Sequence, residues 1–177
     1  MKFTNFLGSI VGLMVVALSW VAPAGAANPL QIQRLLDVKE CRGCDLANAD
    51  FRYFDLAGVD LTGANLQGVN LYGANLNQAI LIDANLQEAN LGAANFQGAD
   101  LSQARLGRSN LKLANLRGAM LVKSDLTRAV LNDADLSAAN LTGANLTEAV
   151  LQSTELKDAI LCTAIMPNGL VFRQTCN

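Results

Sequence analysis

Histidine is absent from all 177 residues. That removes the usual general base near neutral pH and a common metal ligand. A base would have to be a carboxylate or a lysine, and any zinc site would lack imidazole ligands. Strong charge is missing too. Lys and Arg number 13 against 15 Asp and Glu, for a net charge of −2. Without Lys2 the balance is 12 to 15, or −3, which gives no support to nucleic-acid binding. There is no Arg-Arg pair near the start and no Cys just after the first apolar run. Twin-arginine export and lipid attachment at that point are therefore not indicated.

An export signal is present. Lys2 supplies a positive start, Phe6 to Val21 is an uncharged apolar run, and Ala22-Pro23-Ala24 and Ala24-Gly25-Ala26 offer small-residue cleavage sites. We read residues 1–26 as a signal peptide. An uncleaved anchor is the alternative, but the run is shorter than the ~20 residues of a membrane span. Asn28-Pro29 is a helix start, and Leu30, Leu35, Leu36 and Val38 lie among polar residues. The pattern predicts a helix over 28–40 with one apolar face, placed to cap the periodic stretch that begins just after it. A membrane or partner helix is the other reading.

From Leu46 to Leu161 every fifth residue, 24 positions in all, is Leu or Phe, with Phe only at 51 and 96. We call this position the centre. The residue two before it is Ala at 17 of the 24, and the residue one before it is Asn or Asp at 17 of the 24. A period of five fits neither a helix nor a simple strand. Within a unit, though, the small residue and the centre lie two apart, on one side of an extended segment. Turn formers come next, with Gly closing the unit at 58, 63, 68, 73, 98, 118 and 143. Such a unit cannot bury its apolar side alone and must stack on copies of itself.

Tandem Ala-(Asn/Asp)-Leu-x-x over Cys44 to Leu161 resembles the pentapeptide-repeat family. The resemblance implies an all-β fold: a right-handed quadrilateral β-helix, a solenoid of about six coils, each of four pentapeptides, with centre and small residue inward. At ~4.8 Å per coil the rod would be on the order of 30 Å long. The chain then divides into signal 1–26, capping helix 28–40, β-helix 41–166 and C-terminal cap tail 167–177. Cys41 and Cys44 fall at one end of such a rod, Cys162 and Cys176 at the other. Disulfide Cα atoms lie within ~7 Å, so the expected bridges are Cys41–Cys44 and Cys162–Cys176. A four-cysteine zinc site fails on the same distance. Redox chemistry at Cys41/Cys44 is the functional alternative. It is disfavoured because the helix ends before the motif, leaving no helix N-terminus to stabilise a thiolate.

Residues twenty apart should stack. One side then carries Ile80, Ile82, Met120, Val122 and Ile160 at outward positions, and these form a candidate protein interface. Val130 and Val150 stack on the opposite side. Asn65, Asn70 and Asn75 should hydrogen-bond Asp45, Asp50 and Asp55 of the preceding coil, and the outward Asn and Asp should bond turn backbone; an acidic binding ring is the alternative. Arg105, Arg108, Lys112, Arg117, Lys123 and Arg128 form a basic belt. Arg52 and Tyr72 are coil neighbours, placed for a cation–π contact. Cys-x-Gly-Cys-Asp-Leu at 41–46 and Leu-Cys…Met-Pro-x-Gly…Cys at 161–176 resemble exported members of the family, which implies the thylakoid lumen or periplasm. The sequence thus points to a non-enzymatic structural or interaction rod. It would have a protein partner or self-association, no cofactor, no nucleic acid and no membrane contact after cleavage. The alternatives are a DNA-mimicking topoisomerase-binding protein and a thiol-disulfide redox protein.

Overall fold

A five-residue unit must satisfy five backbone N–H groups, less any proline, and the way it does so sets the architecture. The computed structural model describes residues 29–173. The signal-peptide segment and Cys176 lie outside the described residues. In the unit from Leu61 to Asn65, Leu61 N–H donates to the Ile80 carbonyl (2.7 Å) and Gly63 N–H to the Ile82 carbonyl (2.8 Å), both in the next coil. Asn65 N–H reaches back to Cys44 (2.8 Å), and Ala64 N–H closes a turn on Leu61 (3.0 Å). The fifth donor, Thr62 N–H, goes to the Asp60 side chain (3.0 Å).

Repetition of this scheme gives a four-sided solenoid. Parallel bridges join residues twenty apart, from Glu40–Asp60 to Asn145–Ile165. The centres point inward: from Leu46 to Leu146 each is at most 3% exposed, and the small residues stack beside them.

The turns differ from the sequence expectation in one respect. All 24 residues two past a centre, from Asn48 to Thr163, have φ between 53° and 69°. Glycine occupies only 7 of them, so 17 side chains hold a left-handed backbone that disfavours them. The turn geometry follows from the inward centre and the coil-to-coil bonds, and it prevails over local preference.

Helix α1, Pro29–Val38, lies at the start of the rod. Its apolar face is narrower than the sequence pattern suggested. Leu35 is buried and Ile32 packs on the core, while Leu30, Leu36 and Val38 are exposed. Gln31 accepts from Asp45 N–H (2.8 Å), giving one open edge donor of the first coil a partner. At the far end Ile165 pairs antiparallel with Val171, and Phe172 exchanges backbone bonds with Thr163 and Ala164. This described part of the tail covers one side only, so Leu151, Leu156 and Leu161 stay half-buried.

Candidate functional site

The outward surface is built from the residues before and after each centre. At every one of the 17 Asn or Asp positions, the side-chain Oδ1 accepts from the N–H two residues on, at 2.8–3.4 Å. Glu155 does the same for Lys157 (3.0 Å). These groups are therefore backbone caps first. They also form ladders: Asn65 Nδ2 donates to Asp45 (2.9 Å) and Asn75 Nδ2 to Asp55 (2.8 Å), as the sequence indicated, whereas the expected Asn70–Asp50 bond does not form and Asp50 is taken by Arg52 instead. Thr hydroxyls add bonds to the same caps, as Thr62 does to Asp60 (2.6 Å).

Where an apolar residue replaces the cap, an N–H loses its acceptor. The column Asp60, Ile80, Asp100, Met120, Asn140, Ile160 runs along one side. Ile80, Met120 and Ile160 are 37%, 43% and 50% exposed, and Ile82 and Val122 are half-buried beside them. Among the described residues the N–H groups of Ile82 and Val122 have no hydrogen-bond acceptor. The side thus alternates, coil by coil, between polar capped pairs such as Asp100–Ser102 and apolar uncapped pairs such as Met120–Val122.

A second apolar cluster escaped the sequence reading. On the opposite side Tyr53 is 71% exposed, with Phe54 and Tyr72 also exposed. Phe51 packs edge-on against Phe54 (ring centroids 5.7 Å), and Tyr53 against Tyr72 (5.8 Å). The expected Arg52–Tyr72 contact does not form. Arg52 is held by Asp50 at 2.6 Å, and Tyr72 turns to Tyr53 instead. Tyr53 lies over Gly73, where a β-carbon would come within 2.7 Å of its ring. The crowding of aromatic residues into 51–72 was the available signal.

Electrostatics are local. A hydrogen bond from Arg52 holds the Asp50 carboxyl below its ordinary range. Burial pushes Asp60 up, but the Thr62 hydroxyl and N–H, with the Arg42 guanidinium at 2.9 Å, lower it overall. The Ser137 hydroxyl and N–H lower Asp135. Of the basic belt, Arg105, Arg108 and Arg128 share one side, and Lys112, Arg117 and Lys123 take one each of the others.

Cys41 and Cys44 are joined, with Cα atoms 5.3 Å apart, and both are buried beneath α1. Cys162 is disulfide-bonded as well. No helix among the described residues is long and apolar enough to cross a membrane.

The family description "Pentapeptide repeats" matches eight copies, over residues 40–78, 61–98, 79–111, 94–133 and 129–166. Among solved structures, the pentapeptide repeat protein Rfr23 from the cyanobacterium Cyanothece 51142 is 29% identical with a TM-score of 0.61, over 74% of this chain and 97% of that one. A trypsin-treated form of QnrB1, a plasmid-mediated fluoroquinolone resistance protein, is 20% identical with a TM-score of 0.55, over 71% of this chain and 75% of that one. That likeness shows the fold alone. A pentapeptide repeat protein from the Arabidopsis thaliana thylakoid lumen is 32% identical with a TM-score of 0.44, over 64% of this chain and 70% of that one. None of the curated proteins matches the chain.

Proposed function

The chain belongs to the pentapeptide-repeat family, and on that premise we propose that it serves outside the cytoplasm as a non-enzymatic structural or protein-interaction rod, with the right-handed quadrilateral coil that the family forms. The carrying observation is the side bearing Ile80, Ile82, Met120, Val122 and Ile160. There the cap that completes the backbone is given up for exposed apolar side chains, on alternate coils of one side. Giving up a cap leaves an N–H without its partner, so these positions contribute less to the fold than the consensus would. A partner protein, or a second copy of the rod, that covers this side recovers apolar burial.

Elsewhere the Asn and Asp before each centre are occupied in capping the backbone, which argues against their forming a catalytic constellation. The Cys41–Cys44 bridge is buried, which supports a staple at the start of the rod over redox exchange. The Cys41–Cys44 bridge, the oxidised Cys162 and the apolar run at Phe6–Val21 support export to the thylakoid lumen or periplasm. The net charge of −2 does not favour a DNA mimic.

The test is the quadruple change Ile80→Asn, Ile82→Thr, Met120→Asn and Val122→Thr. It restores the repeat pattern and should fold as well as the parent. Crosslinking and native mass analysis of the exported fraction should show loss of a specific contact. Retention of every partner and oligomer by the variant would refute the assignment of this side.

A further inference from the structure

On the side carrying Leu86, Leu106 and Leu126, one turn departs from the repeat at two positions together. Arg105 stands before the centre, the only cation there in the 24 units, and Gly107 stands after it. Arginine cannot accept a hydrogen bond, so the Gly107 N–H loses its usual cap. Among the described residues it has no other acceptor, although Gly107 is buried. A buried N–H without a partner is rare. Nor does the backbone require glycine here, because Gly107 is not among the residues with positive φ.

Gly107 lines a notch of about 340 Å³ together with Gln87, Asp125 and Thr127, at the low end of the ~300–1,000 Å³ typical of small-molecule sites. A β-carbon on Gly107 would stand 3.7 Å from Gln87 Nε2, 3.7 Å from the Thr127 carbonyl oxygen and 3.8 Å from Asp125 Oδ2. Asp125 uses Oδ1 for the Thr127 N–H and hydroxyl, which leaves Oδ2 directed to the notch. Arg108 and Arg128 stack on consecutive turns at the rim, braced by Glu88 at 3.7 Å and Glu148 at 2.6 Å. Donors and acceptors therefore face the same space. Arg108 and Arg128 line the notch against Glu88, Asp125 and Glu148, so no net positive charge favours a plain anion.

We propose that this notch binds a small zwitterion, a free α-amino acid, with its carboxylate on the Gly107 N–H, Gln87 and the two guanidinium groups and its ammonium on Asp125 Oδ2 and the Thr127 carbonyl. The site is separate from the apolar side and does not depend on its role. Amide-detected NMR titration of the full chain with L-alanine tests it, with acetate as the control. The Gly107 amide and the Gln87 side-chain amide should shift saturably with L-alanine and at least tenfold more weakly with acetate. Arg105→Asn supplies the cap that 17 other units have, and Gly107→Ala sets a methyl between Gln87, the Thr127 carbonyl and Asp125 at ordinary contact distances. Both should keep the thermal stability of the parent or exceed it, while the Gln87 response weakens at least tenfold, as expected for loss of a charge-assisted hydrogen bond. The proposal is overturned by the absence of a saturable shift, by undiminished binding in Arg105→Asn, or by acetate binding as tightly as L-alanine.

Discussion

Asp100 tests whether the Asn and Asp positions are caps or surface. Its Oδ1 accepts from Ser102 N–H at 2.9 Å, and both residues are half-buried. Asp100→Ala removes the acceptor and leaves the coil-to-coil bonds of Asp100, made by its backbone, in place. A hydrogen bond to a charged group contributes about 1.5–3 kcal/mol, and a stranded N–H costs about 1–3 kcal/mol. Solvent reaches this turn in part, so a loss of about 1–2 kcal/mol is expected. Asp100→Asn keeps Oδ1 and should cost less than about 0.5 kcal/mol. Ile80→Ala, in the same column but with no cap to lose, controls for side-chain truncation alone. Urea unfolding followed by far-ultraviolet circular dichroism gives the three values, with the urea dependence checked for constancy because a solenoid can unfold in stages. Equal stability of Asp100→Ala and Asp100→Asn would refute the reading of these residues as the fifth hydrogen bond of the unit.

Leu91, fully buried, should not tolerate Asp: Leu91→Asp places an unpaired charge inside a closed coil and abolishes folding, whereas Gln87→Asp, one residue past a centre, folds normally by circular dichroism. Acid should destabilise the rod. Asp50, Asp60 and Asp135 have lowered carboxyl pKa values, so their contribution is complete above the unfolded-state value and is lost as pH falls through the folded-state values. Asp135→Asn should make stability less steep below about pH 4, and an unchanged acid limb would refute the cause given. Peptide mapping of the exported protein should find no free thiols and bridges Cys41–Cys44 and Cys162–Cys176; a bridge between the two pairs would contradict the rod.

The stacking unit, with Leu and the small residue on one side, was legible in the chain from a period that runs without a slip, because one inserted residue would turn the later centres outward. The register of twenty, and the Asn-to-Asp ladder that depends on it, came with the resemblance to pentapeptide-repeat proteins. The apolar column through Ile80, Met120 and Ile160 was legible for the same reason. Other features depend on geometry that a period cannot encode. That each cap serves one particular N–H emerges only when the other four donors are placed. The left-handed backbone at residues such as Leu113 and Tyr53 opposes local preference and is imposed by the coil-to-coil bonds. Arg52 chooses Asp50 over Tyr72 because the carboxylate is two residues away on the same turn and within bonding distance. The notch at Gly107 needs both the missing cap at Arg105 and the free oxygen of Asp125 in the next coil. Residues twenty apart become neighbours only when the chain has closed its fourth side.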